Sequence, residues 1–385
     1  MNLRDKLKAV DKPRKPASTA AEPAFTDCWA KEQTRPLTAF PGAFRLQRKT
    51  ITLMQGETEP PLPANLDPTR ILYLDTETTG LAGAGTVAFL VGLGWLAEDG
   101  FHVLQLMIRD YPEERFLLQR VAEIASRFDV ICSFNGRTFD VPLLRDRFLM
   151  NRIRTDCLDK PHIDLLFIAR RVWKLRLKRC NLAHLEEEIL GAPREEDIPG
   201  AEVPQRFFSY LKTGDFRLLQ DVLEHNAQDI ASLCTLLCHM TRIYEHPEEQ
   251  MHMEDLFSMG ASLEKYHHNE EARCCWRLCD HGKMRAQGQL RLAQSWRRAG
   301  ERSEAVAVWQ SMAARHEGGV IPLVELAKHY EHVARDISRA LDYTRQALAI
   351  MAEPTLLESV TVQQTRNALQ YRYDRLKRKL DQQRR

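Results

Sequence analysis

The sequence predicts a mixed α/β sheet flanked by helices, followed by an all-α region of helical repeats. Three observations predict it. Between about residues 70 and 240, short apolar runs alternate with segments of helical spacing, which is the pattern of a mixed α/β sheet. Beyond about residue 250 the strand signals stop, and Ala, Leu, Arg and Glu dominate. In that last stretch three segments align on Ala272, Ala305 and Ala340, with spacings of 33 and 35 residues. These bracket the 34-residue tetratricopeptide period.

In chain order, residues 1–45 are rich in Lys, Pro, Ala and Thr, show no sustained periodicity, and read as a disordered basic arm. Glu59-Pro60-Pro61-Leu62-Pro63 punctuates the chain before the first strand, Ile71–Asp75. The stretch Thr78–Ala97 has no charged residue but contains Gly80, Gly83, Gly85, Gly92 and Gly94. Its apolar part, Val87–Leu96, is half of the ~20 residues a membrane helix needs, so it reads as a glycine-rich turn feeding a buried strand. His102–Ile108 and Asp129–Phe134 are further strands. Arg115–Ser126 places Leu117, Leu118, Val121, Ile124 and Ala125 on one helical face, and Val141–Met150 and Leu218–Met240 are also helical. Trp276 and Trp309 each follow a repeat alanine by four residues. The expected domains are the arm (1–45), the α/β domain (46–245), tetratricopeptide-like repeats (250–355) and a basic C-terminal helix or tail (356–385).

The chain has 385 residues, and its 55 Lys+Arg against 53 Asp+Glu leave a formal charge of +2. Overall charge therefore neither points to nor excludes nucleic acid, and only local patches speak to it. The nine cysteines are odd in number and irregularly spaced, without paired CxxC knuckles. A disulfide scaffold and a structural zinc are not expected; buried thiols in a cytoplasmic protein are. No apolar run follows the basic N-terminus, so neither a secretory signal nor a membrane partner is expected.

Three acidic motifs carry chemistry. Asp75-Thr76-Glu77-Thr78-Thr79-Gly80 ends the first strand. Side chains alternate along a strand, so Asp75 and Glu77 share a face and Thr76 points away. Two adjacent carboxylates repel unless a cation lies between them, and all-oxygen ligands suit Mg²⁺ or Mn²⁺; a solvated strand end is the other reading. In Asn135-Gly136-Arg137-Thr138-Phe139-Asp140, either Asp140 caps the helix that follows, or Thr138 caps it and frees Asp140 for a site. In His225-Asn226-Ala227-Gln228-Asp229, His225 and Asp229 lie one helical turn apart, as a base beside a metal ligand or as an ordinary surface pair.

The three motifs in this order resemble the exonuclease motifs of the DEDD superfamily, and more closely its YprB-type branch. That branch joins a ribonuclease-H-like domain to tetratricopeptide repeats. LDTETTGL, SFNGRTFDVPLL, HIDLLFIARRVW, DIPGAEVP and HNAQDI carry the resemblance. It implies a ribonuclease-H-like fold and a metal-dependent 3′–5′ exonuclease holding two divalent ions, Mg²⁺ or Mn²⁺. Asp75 would bridge both ions, Glu77 and Asp229 would hold the ion bearing the attacking water, and Asp140 the second. His225 would orient or deprotonate the water. The chain departs from the family pattern in one respect: histidine stands four residues before the last Asp, a spacing that usually carries tyrosine.

Thr78, Gly80 and Asn135 lie beside these acids and are candidate contacts to a terminal nucleotide. Arg170, Arg171 and Lys174, around Trp173, would track the backbone of single-stranded DNA or RNA toward its 3′ end, or form a solvated face. Asp164 reads as a structural acid. The basic residues of 371–385 would add phosphate affinity or merely solvate a helix. A protein partner is expected on the repeats. Two rivals remain: an adaptor that binds nucleic acid without cutting it, and an endonuclease or junction resolvase on the same scaffold.

Overall fold

Alternation along Ile71–Thr78 buries Ile71 and Tyr73 on one side and Leu72 and Leu74 on the other, so this strand needs cover on both faces. In the computed structural model, which describes residues 27–80, 85–194, 198–352 and 360–383, it has that cover. Six strands form one sheet in the order β1-β4-β3-β2-β5-β6. They are β1 (Trp29–Arg35), β2 (Ile71–Thr78), β3 (Ala88–Ala97), β4 (Gly100–Met107), β5 (Val130–Ser133) and β6 (His162–Asp164). The β1–β4, β4–β3 and β3–β2 pairs are antiparallel, and β2–β5 and β5–β6 are parallel. This is the mixed sheet expected from the sequence, with β2 at the junction of its two halves.

One face is covered by α1 (Arg48–Gln55), α4 (Leu165–Leu177) and most of α7 (Gln220–Glu245). The other packs on α2 (Glu114–Ala125), α3 (Asp140–Met150) and α6 (Val203–Thr213). A short α5 (Leu182–Leu185) runs into a π-helical turn, Glu186–Leu190. Among the described residues no helix is long and apolar enough to cross a membrane.

Three helical hairpins follow: α8 (Met253–Lys265) with α9 (Asn269–Leu278), α10 (Arg285–Arg298) with α11 (Arg302–Ala314), and α12 (Val320–His332) with α13 (Ile337–Met351). Ala272, Ala305 and Ala340 each lie fully buried in the second helix of a hairpin. Trp276 fills the space over Gly260, where an added Cβ would come within 2.4 Å of the indole nitrogen.

The first hairpin is bolted to the sheet domain. Met259, Leu263, Ala272, Cys275 and Trp276 extend the α4/α7 core without a break. Arg176 of α4 makes three bonds of 2.8–3.0 Å to Asp255 of α8, whose side chain is 1% exposed. At the far end α14 (Val360–Gln383) sends Arg372, Arg375 and Lys379 onto the buried Glu331 of α12. Three of the tail's basic residues thus hold the tail to the repeats, Arg372 largely covered and Lys379 still exposed. Arg384 and Arg385 lie outside the described residues.

The reading of 1–45 as disordered is corrected over its second half. Trp29–Arg35 is an edge strand in register with β4, Trp29 opposite Met107 and Arg35 opposite Phe101. Its sequence, WAKEQTR, is polar, as edge strands that avoid further pairing are, and so gives no apolar period. Residues 1–26 lie outside the described residues.

Two glycines decide how closely α7 approaches the sheet. A Cβ on Gly92 would stand 2.4 Å from Asn226 Oδ1 and 2.8 Å from Ile230, and one on Gly94 would stand 2.5 Å from Ile230. Gly92 pairs directly with Asp75. Gly92→Ala should therefore destabilise the chain by about 1–3 kcal/mol through overpacking. Gly85→Ala, with nothing within 4 Å, should be close to neutral. Denaturant midpoints of the two variants check this.

Candidate active site

The C-terminal end of β2 carries Asp75 and Glu77, and a register shift between Glu77 and Thr78 ends its regular pairing with β3. Such irregularities re-aim side chains at strand ends. Asp140 arrives on the first turn of α3. His225 and Asp229 arrive on one face of α7, which the glycines of β3 allow to lie close. The structure therefore brings together all five residues expected at the chemical centre. His225 Nε2 lies 3.7 Å from Glu77 Oε1 and 3.5 Å from Asp229 Oδ2.

Neither capping alternative for Asp140 holds. The α3 N-cap is Phe139, with no side-chain cap bond. Thr138 donates to Asn135 Oδ1 at 2.7 Å. Asp140 is left free for the site, 4% exposed, and accepts a short hydrogen bond from the Thr76 hydroxyl. The sequence pattern directs Thr76 away from Asp75 and Glu77, but its hydroxyl still serves a third carboxylate.

Electrostatics dominate here. Burial pushes the Asp75 carboxyl well up, and Asp229, Asp140 and Glu77 push it further, against a hydrogen bond from Asn226. Glu77 is pushed up to about 8 by burial and by Asp229 and Asp140, with His225 and Arg194 opposing. Burial raises Asp140 to about 6, against the bonds from Thr76. Asp229 is also raised by burial, with His225 and Arg194 pulling it down. Four hard oxygen donors crowded at a partly desolvated site suit divalent cations such as Mg²⁺ or Mn²⁺. Among the described residues, three metal-ligating side chains already within 4.8 Å of one another are half-buried His184 and exposed Glu187 and Glu188, where α5 runs into the π-helical turn. No three of the four site carboxylates lie that close to one another.

Several supporting residues escaped the motif reading. Asn226, fully buried, donates to Asp75 Oδ2 at 2.9 Å and accepts from Gln105 Nε2 at 3.1 Å. Gln105 also donates to the Leu223 carbonyl at 2.8 Å. The signal was present: Gln105 is a lone amide in the apolar strand FHVLQLM, and Asn226 lies between His225 and Asp229. Asp164 is the structural acid expected, accepting from the backbone N–H of Asn135, Arg137 and Leu166 at 2.9–3.1 Å. It holds Asn135 at φ 68, a left-handed conformation asparagine tolerates. Arg194 binds Asp229 and Glu186, and sequence reasoning gave no sign of it.

The expected substrate contacts divide. Asn135 is exposed on the loop carrying Asp140. Thr78 is buried and donates to the Gly80 carbonyl at 2.8 Å, forming the turn instead of presenting its hydroxyl. Arg171 is committed to the Met54 carbonyl at 3.0 Å and lies over the Tyr266 ring. Arg170 and Lys174 are exposed. A cavity of about 410 Å³ beside the Asn135 loop is lined by Arg137, Thr138, His162, Phe167 and Arg171.

Comparison with known proteins gives three findings. A family model described as the RNase_H superfamily matches residues 72–241. A Bacillus subtilis (strain 168) protein named uncharacterized protein YprB is 31% identical over 318 residues, covering 80% of this chain and 75% of that protein. Among solved structures, the family B DNA polymerase of the hyperthermophilic archaeon Pyrobaculum calidifontis is similar, with a TM-score of 0.36 and 16% identity. That match covers 56% of this chain and 29% of the polymerase, so the chain spans less than a third of the polymerase's length.

The raised carboxyls predict a pH dependence. Without a divalent ion, folded Glu77 keeps its proton up to about pH 8, whereas the unfolded chain loses it near 4.5. The folded state then binds more protons than the unfolded one, so stability should fall as pH rises from about 5 to 8, by on the order of 1 kcal/mol per pH unit. Glu77→Gln should flatten that slope, most clearly above pH 6. Denaturation midpoints across the range test it; a wild-type curve already flat there contradicts it.

Proposed function

The chain belongs to the ribonuclease H superfamily, in the family of YprB, and on that premise we propose that it is a divalent-metal-dependent nuclease acting as a 3′–5′ exonuclease. The observation that carries this reading is the convergence of Asp75, Glu77, Asp140 and Asp229 from β2, α3 and α7 at one largely screened site, with His225 beside two of them.

Asp75, at the centre of the group, would contact both of two Mg²⁺ or Mn²⁺ ions. Glu77 and Asp229 would hold one, and Asp140, steadied by Thr76, the other. When bound, the ions would supply the charge that stabilises attacking and departing oxygens in phosphodiester hydrolysis. The protein's part is to fix the carboxylates: Asn226 and Gln105 orient Asp75, and Asp164 holds the Asn135 loop where a terminal nucleotide would lie. Exposed Arg170 and Lys174, with Arg137 along the adjacent cavity, would meet a single-stranded DNA or RNA backbone. The helical hairpins, read as tetratricopeptide-like repeats, would recruit a protein partner. All nine cysteines are free and eight are buried, which fits the cytoplasm.

The test uses full-length wild type and Asp75→Ala on 5′-labelled single-stranded DNA and RNA, with Mg²⁺, Mn²⁺ or EDTA. The expected result is a metal-dependent ladder shortening from the 3′ end, lost by at least 10³-fold in Asp75→Ala, on the order of an essential electrostatic contact. Cleavage of circular strands would favour an endonuclease. Binding without cleavage under every metal condition would favour an adaptor and sink the proposal.

A further inference from the structure

Arg194 lies in the loop after the π-helical turn, with a side chain only 10% exposed and every arm of its guanidinium engaged. Nε binds the carboxylate of Glu186, and Nη2 binds that of Asp229. Nη1 lies 2.9 Å from His225 Nδ1. The support behind it is continuous. Glu186, with a side chain 0% exposed, accepts from the Ser232 hydroxyl. Gln228 Nε2 donates to Ser232 at 3.2 Å, and Gln228 Oε1 accepts from Arg35 of β1 at 3.1 Å. The guanidinium is therefore fixed by groups from the π-helical turn, α7 and the edge strand.

A guanidinium has five N–H donors and no acceptor. At 2.9 Å from a ring nitrogen it can only donate, so His225 Nδ1 must present its lone pair. A neutral imidazole carries one N–H, and here that proton can sit only on Nε2. Nε2 is the nitrogen that faces Glu77 and Asp229.

We propose that Arg194 is a positioning residue: it locks His225 in the Nε2–H tautomer, so that the ring meets the carboxylate pocket as a hydrogen-bond donor and not as a proton acceptor. The proposal rests on the nuclease reading and narrows it. His225 then orients a water or a phosphate oxygen by donation, and proton removal from the attacking water is not its task.

The test reads the ring directly. Full-length chain labelled with ¹⁵N-histidine is examined by long-range ¹H–¹⁵N correlation near neutral pH without divalent ions, and the His225 signals are assigned by their loss in His225→Gln. Wild type should show an unprotonated Nδ1 and a protonated Nε2. Arg194→Met should mix or invert the tautomers. Arg194→Lys keeps the charge but cannot span three partners, and should do the same if the methionine variant fails to fold. A proton on Nδ1 in wild type, or a ring signature unchanged in a folded variant, overturns the proposal. On the nuclease assay, kcat of Arg194→Lys should fall about 10- to 100-fold with little change in KM, the size typical of residues that orient catalytic ligands. If the chain never cleaves but the tautomer shifts as expected, the nuclease reading fails and the role of Arg194 stands.

Discussion

The crowding and partial desolvation of four carboxylates is the constraint on which the rest of this structure depends. Desolvation drives Asp75, Glu77, Asp140 and Asp229 toward their protonated forms, and like charges add to it: the other site acids at Asp75 and Glu77, Asp164 at Asp140, and Glu186 at Asp229. A fold that places them together must offset that cost in its surroundings. Thr76 donates to Asp140, Asn226 to Asp75, and Arg194 to Asp229. Two of these donors are themselves held: Asn226 by Gln105, and Arg194 by Glu186. Buried polar chains of this kind are stable only when each member is satisfied, which is why the amides of β4 and α7 matter as much as the acids.

The packing follows from the same requirement. α7 must lie close enough for Asn226 to reach Asp75, and only glycine at positions 92 and 94 of β3 admits that approach. The helix then continues to Glu245, and the core it shares with α4 runs into the first helical hairpin. The Arg176–Asp255 pair ties the same surfaces together with charge. The first hairpin is in this way seated mainly on α4, which shares its core with the helix that carries His225 and Asp229.

Much of this was legible in the sequence, because its signals are local. An acid-x-acid pair ending an apolar run and a His-x-x-x-Asp spacing on a helix place side chains by backbone geometry alone. The buried alanines at 272, 305 and 340 likewise follow from a period. What was not legible depends on contacts distant in sequence. The β1 strand has no apolar pattern because it lies at an edge, and it pairs with residues about 70 positions further on. Arg171 was a plausible phosphate contact until Met54 and Tyr266 supplied it with partners. Arg194 belongs to no motif, and its importance rests on Glu186, His225 and Asp229 meeting around it. Asp140 shows the boundary most clearly: the local sequence allowed it to cap a helix or to face a site, and in the structure the N-cap falls on Phe139 while Thr76, 64 residues away in sequence, bonds the carboxylate.

The most direct measurement of the central claim, that these carboxylates form a divalent-cation site, is anomalous diffraction from crystals of the full chain grown with Mn²⁺. The account predicts anomalous density among Asp75, Glu77, Asp140 and Asp229, with the carboxylates drawn in around it. Density confined to the His184, Glu187 and Glu188 turn, or none beside Asp75 at saturating Mn²⁺, would contradict it.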